Sequence, residues 1–240
     1  MPRFDAVFFD SGGTLWIPPA QGLPPGHSLP ELWQRRAARV AACLAGLGRA
    51  ASESRIAALL PDLEAASPGR FGPSYTYIDL MQALAEALGE TWCVEDHLLL
   101  ADAYVGPRYR SWLGAGTEQT LAALADAGVY VGLISNTYIP GQSVDRLFRG
   151  VGLLKYLRTR IYSGDEGISK PEAGIFELAV RRAGLEGRRL LYVGDDLEND
   201  VRASRRAGWS AVLIRSARAD SGGLADFEIT RLPELLDFVL

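Results

Sequence analysis

Cysteine and histidine are both scarce in this chain of 240 residues, and their scarcity excludes several kinds of site. The two cysteines, Cys43 and Cys93, lie far apart and outside any CxxC spacing, so neither a zinc site nor a disulfide framework is indicated. The two histidines, His27 and His97, are too few for a histidine-rich metal centre. A metal site built from thiolates or clustered imidazoles is therefore not predicted.

Long apolar runs and an excess of positive charge are also missing. No run approaches the ~18 apolar residues of a membrane-spanning helix, and the first apolar run is too short for a signal peptide. The formal charge of -4 argues against nucleic acid or an anionic membrane surface as the main partner. We therefore expect a soluble protein of the reducing cytoplasm without a nucleic-acid or membrane partner. The sequence leaves open whether it is a monomer or a homodimer.

Strands and helices alternate over most of the chain. Unbroken apolar runs predict buried strands at 6–9, 129–135, 190–193 and 210–214, with helical patterns between them. Such strands, alternating with helices of about ten residues, predict a doubly wound α/β fold with a parallel sheet covered on both faces.

One long segment departs from this alternation. Residues 17–112 carry only helical patterns, and the first of these begins near Pro30 with Ser28 as its cap. The sequence therefore predicts a sheet domain at 1–16 and 113–240, interrupted by an all-helical insert at 17–112.

Polar side chains follow three of the predicted strands, 6–9, 129–135 and 190–193, and the loop after a short apolar stretch at Ile161 and Tyr162, at the edge where open α/β sheets bind ligands. In chain order they are Asp10, then Ser135 and Asn136, then Lys170, then Asp195 with Asp196 and Asp200. Each has a structural alternative, because such residues also cap helices and turns, and a lysine before a proline can simply lie on the surface. Their joint occurrence at strand ends favours a functional site.

The chemistry that these groups fit is phosphoryl transfer. A carboxylate can attack a phosphate dianion only if their repulsion is offset by a divalent cation and fixed positive donors. Asp10 and Asp195 supply oxygen ligands suited to Mg²⁺, and Lys170 and the Ser135 hydroxyl would hold phosphate oxygens. The glycines of DSGGT, Gly12 and Gly13, allow close backbone approach.

Four motifs together resemble those of the haloacid dehalogenase-like superfamily. DSGGTL is similar to its first motif, DxDGT, and LISN to its second, an apolar strand that ends in Ser or Thr. Lys170 with Pro171 resembles the third motif, and VGDDLEND the fourth, GDxxxxD. The four span residues 10–200, and the helical insert resembles the cap domain that this family places between its first two motifs.

The resemblance implies a role for each matching residue. Asp10 would be the nucleophile, and Ser135 and Lys170 would hold the phosphate, with Asn136 and Gly13 as further phosphate-binding positions. The Mg²⁺ ligands would be Asp10, Asp195 and the backbone carbonyl of Gly12, supported by Asp200. The implied activity is that of a magnesium-dependent phosphatase acting on a small phosphorylated metabolite through an aspartyl-phosphate.

Gly12 departs from the family pattern. Phosphatases of the family carry a second aspartate there, which protonates the leaving group and then activates water, and loss of such a group costs about 100- to 10,000-fold in rate. Three explanations compete: another acid, contributed for example by the insert; substrates with good leaving groups, such as acyl or aryl phosphates; or a protein that binds a phosphorylated ligand or partner without turnover.

Other activities of the family can be weighed from the residues. Dehalogenases also lack the second aspartate, but they work without Mg²⁺ and would not need the acidic GDDLEND run, so this stays the less favoured alternative. Phosphonate-cleaving relatives use a cap lysine, and the insert has none, because Lys155 and Lys170 are the only lysines of the chain. A sugar phosphomutase would need the missing acid. The insert residues that could reach a substrate are His27, Trp33, Arg36, Tyr75, Tyr77 and Arg108, of which the aromatic ones favour packing.

Overall fold

The structure is a computed structural model that describes residues 2–17, 28–215 and 222–240. Contacts divide the chain into two compact units. The sheet unit comprises Met1–Pro18, Tyr109–Asn136 and Phe148–Leu240, and the helical unit comprises Pro19–Arg108 and Thr137–Leu147. The segment 137–147, which the boundaries expected from the sequence place in the sheet domain, is thus grouped with the helices.

A parallel sheet forms the centre of the sheet unit. Its strands within the described ranges are β1 (Ala6–Phe9), β2 (Tyr130–Ser135), β3 (Thr159–Tyr162), β4 (Leu190–Gly194), β5 (Ser210–Ile214) and β6 (Phe227–Ile229). They lie in the order β3-β2-β1-β4-β5-β6, and every neighbouring pair is parallel. The predicted α/β class and parallel sheet are confirmed. Because all strands point the same way, the carboxyl ends of β1, β2 and β4 meet at one edge.

Four helices follow β1, as the sequence predicts. They are α1 (Leu29–Gly46), α2 (Glu53–Phe71), α3 (Tyr77–Leu88) and α4 (Val94–Val105). Ser28 caps α1 in a capping box, in which its side chain accepts from the backbone of Glu31 while the Glu31 carboxylate accepts from the Ser28 N–H at 2.6 Å. Buried aliphatic residues of all four helices, including Val40, Leu60 and Leu84, form the separate core of this unit.

The remaining helices connect the strands. They are α5 (Thr117–Asp126), α6 (Gly141–Gly150), α7 (Ser163–Glu166), α8 (Ala173–Ala183), α9 (Ala203–Arg206) and α10 (Leu236–Val239). Short 3₁₀ turns cover Arg110–Trp112, Leu154–Tyr156 and Leu232–Leu235, and a π-helical turn covers Leu197–Arg202. Among the described residues, none of the helices combines the length and the apolar character that crossing a membrane requires.

One face of the sheet packs on aromatic residues. Alternate strand residues point to the same face, so Phe8 of β1 and Tyr192 of β4 share a cluster with Phe176 of α8 and with Trp209. The ring centroids of Phe176 lie 5.4 Å from those of Tyr192 and 5.5 Å from those of Trp209, in edge-on contacts. This packing holds β4 in position, and the acidic residues of the fourth motif follow directly after this strand.

Candidate active site

Asp10 stands directly after β1, where the strand ends beside β4. Its N–H donates to the Val193 carbonyl at 2.9 Å, which continues the pairing of β1 with β4 by one residue. Its side chain is only 12% exposed. The predicted nucleophile is therefore a nearly buried carboxylate in a fixed backbone position.

Lys170, in the loop before α8, is held by Asn136 through its backbone. The Asn136 amide donates to the Lys170 carbonyl at 2.8 Å, and the Lys170 N–H donates to the Asn136 side-chain oxygen at 2.9 Å. The phosphate contact expected of Asn136 stays a prediction. What its side chain does in the structure is fix the chain at Lys170.

The Lys170 ammonium lies between two carboxylates and a phenol. Its Nζ donates to Asp10 Oδ1 at 2.6 Å, to Asp200 Oδ1 at 2.6 Å and to the Tyr192 hydroxyl at 3.0 Å. An ammonium has three N–H groups, so each of them has an acceptor. Since the Lys170 side chain is 2% exposed, these bonds are shielded from water.

Two acidic side chains of the fourth motif complete the cluster. Asp200 is buried, and its second oxygen accepts the Asp196 N–H at 3.0 Å. Asp195 is half-buried and accepts from the Thr14 hydroxyl at 3.4 Å. Asp195 thus retains the more accessible carboxylate, whereas both oxygens of Asp200 are held by the protein.

Two glycines make room for these carboxylates. A Cβ at Gly194 would lie 2.2 Å from an Asp200 oxygen, and a Cβ at Gly13 would lie 2.2 Å from an Asp195 oxygen. Gly13 also has a φ of +81°, in the left-handed region that favours glycine. Any side chain at either position would displace an acid of the cluster.

The three carboxylates are close enough to share a cation. One oxygen each from Asp10, Asp195 and Asp200 lie within 4.8 Å of one another. Carboxylate oxygens, completed by water and substrate phosphate, are the ligands that Mg²⁺ prefers. The residues present therefore fit a bound Mg²⁺.

The pKa values in the cluster reflect burial and an excess of acid. Burial raises the pKa of Asp10 to about 7, with Lys170 acting to lower it and Asp200 to raise it. The pKa of Asp195 is also raised, by burial and by Asp200. Burial acts to lower the pKa of Lys170, but Tyr192, Asp10 and Asp200 together raise it well above its usual value. The lysine is therefore charged, while the acids would gain from a further cation.

These groups border a cavity of about 280 Å³ in the sheet unit. Its lining residues are Asp10, Gly12, Asn136, Lys170, Asp195, Asp196, Asn199 and Asp200. Ser135 ends β2 as a buried residue, and the Gly13 N–H donates to the Trp16 carbonyl at 2.6 Å, but neither residue borders the cavity. The phosphate contacts expected of Ser135 and Gly13 stay predictions.

Gly12 borders the cavity without the constraint that applies to Gly13. It does not have a positive φ, and a Cβ built there has no heavy atom within 4 Å. Residue 12 therefore has room for a Cβ, and its backbone conformation does not require glycine. The absence of an acid at this position is a property of the sequence, and the fold does not impose it.

Sequence reasoning missed three contributors to the site. Tyr192 holds the lysine, Thr14 donates to Asp195, and Asn199 borders the cavity. Tyr192 carried a signal, because it is the single residue with a polar group between Leu190 and Gly194 of a buried strand. A buried tyrosine hydroxyl needs a hydrogen-bond partner, and here one partner is the Lys170 ammonium.

Of the insert residues singled out from the sequence, Arg36, Tyr75 and Tyr77 make contacts within the helical unit. His27 lies outside the described residues. Arg36 donates to Glu64 at 3.2 Å and to the Tyr104 hydroxyl at 2.7 Å, and the Tyr77 hydroxyl donates to Glu64 at 3.2 Å. Tyr75 is buried and stacks on Tyr138, with ring centroids 4.4 Å apart.

Comparison with known proteins gives one family. The family of hydrolases described as haloacid dehalogenase-like matches residues 4–208. That range includes all four motifs and the helical insert between the first two.

Relatives of known activity match part of the chain. A glyceraldehyde 3-phosphate phosphatase from Methanopyrus kandleri is 33% identical over 126 residues, which are 50% of this chain and 53% of the relative. A phosphoserine phosphatase from Thermus thermophilus is 32% identical over 115 residues, 48% of this chain and 45% of the relative. The chain thus spans about half the length of these relatives.

Among solved structures, a 2-haloacid dehalogenase from Pseudomonas syringae superposes with a TM-score of 0.63 at 23% identity. The match covers 98% of this chain and 97% of the dehalogenase. At this level of identity the likeness concerns the fold alone.

Proposed function

The chain belongs to the haloacid dehalogenase-like hydrolases, and we propose that it is a magnesium-dependent phosphatase that acts on a small phosphorylated metabolite. The observation that carries the proposal is the cluster of Asp10, Asp195 and Asp200 beside Lys170. The relatives named for glyceraldehyde 3-phosphate and phosphoserine support the same class of substrate. Because the match covers about half of each relative, neither substrate is assigned to this chain.

In the proposed reaction the Asp10 carboxylate attacks phosphorus. The bond from phosphorus to the leaving oxygen breaks, its electron pair stays with that oxygen, and the phosphoryl group is carried on Asp10 until water releases it as phosphate. Lys170 orients the carboxylate through its bond to Oδ1 and offsets negative charge as the phosphate approaches. Held by Asp10, Asp195 and the Gly12 carbonyl, with Asp200 in support, Mg²⁺ would neutralise charge on the transferring group.

Gly12 narrows the substrates within this proposal. Alkoxide leaving groups need a proton, and a missing general acid costs about 100- to 10,000-fold. Of the acids that border the cavity in the sheet unit, Asp10 and Asp200 bind Lys170, Asp196 accepts the N–H groups of Glu198 and Asn199, and Asp195 is assigned to the cation in this proposal. We therefore place acyl and aryl phosphates, whose leaving groups depart without a proton, ahead of simple alkyl phosphates.

The test is hydrolysis of p-nitrophenyl phosphate with and without Mg²⁺. We expect turnover that requires Mg²⁺ and that falls by at least about 1,000-fold in Asp10→Asn. Asp226→Asn is the matched control, because it makes the same substitution at a residue that binds Arg205 and the Ala211 N–H. Equal residual activity in wild type and Asp10→Asn would refute the proposal.

A second candidate function follows from Gly12: a protein that binds a phosphorylated ligand or partner without turning it over. The open space at residue 12 makes Gly12→Asp the discriminating variant, because a Cβ at this position meets no heavy atom within 4 Å. A large gain of activity over a silent parent would favour the binding protein. Activity already present in the parent, on aryl phosphates above alkyl phosphates, favours the phosphatase.

A further inference from the structure

We propose that Tyr192 is a positioning residue for Lys170, and through Lys170 for the nucleophile Asp10. This inference rests on the proposed phosphatase function for its catalytic consequence. The observation behind it is that the Tyr192 hydroxyl is the third acceptor of the Lys170 ammonium, at 3.0 Å.

The hydroxyl of Tyr192 joins two motifs. It accepts from Lys170 and donates to the Ile134 carbonyl at 2.8 Å, one residue before Ser135. The ring is fully buried on β4, in edge-on contact with Phe176 and Trp209. The packed ring therefore fixes the position of the hydroxyl, which links the Lys170 ammonium to the carboxyl end of β2 through two hydrogen bonds.

A lysine needs such a fixed point. Its ammonium is a point charge on a flexible four-carbon stem, and the other two acceptors, Asp10 and Asp200, belong to the acidic cluster itself. When Asp10 carries a phosphoryl group, its charge and its bond to Lys170 change. Tyr192 keeps an acceptor of unchanged charge in place, so the ammonium stays where the phosphoryl group forms.

The acceptor at this position also has a suitable charge. A neutral phenol takes the third N–H without adding negative charge where a phosphate must bind. A phenylalanine would leave that N–H buried and unpaired, which is costly for a charged group. A tyrosine at this position therefore accepts the third N–H of Lys170 without repelling the phosphate of the substrate.

Tyr192→Phe tests the inference, because it removes the hydroxyl and keeps the ring packing. Tyr130→Phe is the matched control. Tyr130 is the first residue of β2, at the opposite edge of the sheet, and its hydroxyl bonds to the Thr159 hydroxyl at 2.6 Å. Tyr192→Phe removes the bonds to Lys170 and to the Ile134 carbonyl, whereas Tyr130→Phe removes the bond to Thr159, so the control reports the effect of losing a phenolic hydroxyl from the same sheet away from the lysine.

The first measurement needs no turnover. Because Lys155 and Lys170 are the only lysines, ¹⁵Nζ-labelled lysine gives two ammonium signals, one exposed and one buried. We expect Tyr192→Phe to speed hydrogen exchange of the Lys170 ammonium by at least about 10-fold. The Lys155 signal, and the Lys170 signal of Tyr130→Phe, should stay unchanged.

The second measurement is kinetic, with p-nitrophenyl phosphate and Mg²⁺. We expect Tyr192→Phe to lower kcat about 10-fold with KM within about 3-fold, and to weaken inhibition by orthovanadate about as much as kcat, since the lysine acts on charge in the transition state. Tyr130→Phe should keep wild-type values.

The outcomes distinguish failure of the role inferred for Tyr192 from failure of the proposed phosphatase function. If Tyr192→Phe equals Tyr130→Phe in both exchange and kcat, Tyr192 is a core residue only and the inference is overturned. A fast-exchanging Lys170 with unchanged kcat also overturns it, because the hold on the lysine would then not matter to the reaction. A wild type without any turnover overturns the proposed function instead, and the exchange measurement alone then decides whether Tyr192 holds Lys170.

Discussion

Each unit of the molecule buries a group of charges, but the two groups are balanced differently. In the sheet unit one lysine faces three carboxylates, and the side chains of Lys170 and Asp200 are each 2% exposed. In the helical unit Arg36 pairs with Glu64, and their side chains are 18% and 21% exposed. Two tyrosine hydroxyls, from Tyr77 and Tyr104, complete the second group by donating to Glu64.

The difference shows how a buried charge cluster can indicate function. Glu64 accepts hydrogen bonds from Arg36, Tyr77 and Tyr104 of its own unit, so this carboxylate is paired and we interpret it as structural. The Lys170 cluster keeps unmatched negative charge beside a cavity, which is costly for stability alone. Surplus charge of one sign at a cavity indicates a cation site.

The largest effect is expected from Lys170→Met. Removing the cation leaves buried carboxylates facing one another, and breaking a buried pair in this way costs about 3–5 kcal/mol of unfolding free energy. Activity should also fall to the level of Asp10→Asn. Urea unfolding without Mg²⁺ measures the first effect, with Lys155→Met, an exposed lysine, as control. Equal stability of Lys170→Met and Lys155→Met would contradict the conclusion that Lys170 offsets the charge of the buried carboxylates.

The sheet-unit cluster should also make stability depend on pH. In the folded protein the pKa of Asp10 is raised to about 7 from an ordinary 3.8, so between these values the folded state holds a proton that the unfolded state has lost. Without Mg²⁺, unfolding free energy should therefore fall as pH rises from about 4 to about 7, by up to about 1.4 kcal/mol per unit. The groups facing Asp10 are Lys170, Asp195 and Asp200.

Urea unfolding in a chelator at pH steps from 4.5 to 8 measures this dependence. Asp10→Asn lacks the titrating group, so the slope assigned to Asp10 should be missing from its profile. Parallel profiles for wild type and Asp10→Asn would show that Asp10 does not titrate in this range.

Magnesium should stabilise the protein through the sheet unit alone. A ligand at about 100 times its Kd adds about 2.7 kcal/mol to the unfolding free energy. Asp195→Asn removes an accessible ligand and should lose most of that increment, whereas Asp226→Asn should keep it. Thermal unfolding with and without Mg²⁺ gives the increments, and equal increments in the two variants would argue against a site at Asp195.

The strand ends show how much of this site was readable in the sequence. Asp10, Asp195 and Asp200 were found because they follow predicted strands, and Lys170 because its loop follows a short apolar stretch at Ile161 and Tyr162; parallel strands bring such residues to one edge. The α/β class and the helical insert could be predicted because the spacing of apolar residues and the length of apolar runs differ between strands and helices.

Contacts made by particular atoms could not be read in the same way. That Asn136 bonds the Lys170 backbone, or that Tyr192 reaches across β1 to Ile134, depends on rotamers and register over separations of 34 and 58 residues. The grouping of 137–147 with the helical unit likewise depends on long-range contacts, such as the bond from the Tyr77 N–H to the Tyr138 carbonyl at 2.8 Å. The local pattern of apolar and polar residues carries no information about these side-chain contacts or about the grouping of 137–147.

The smallest effect is expected from Glu64→Gln in the helical unit. The substitution keeps the shape of the side chain and removes its charge, so Arg36 loses its ionic partner while hydrogen bonds to the tyrosines can persist in part. Because both side chains are about one-fifth exposed, the cost should be about 1–3 kcal/mol of unfolding free energy. The magnesium increment should match that of wild type, since Glu64 offers nothing to the cation. If Glu64→Gln lost the stabilisation by Mg²⁺, measured as for Asp195→Asn, the two clusters would be coupled and the Glu64 cluster would not be merely structural.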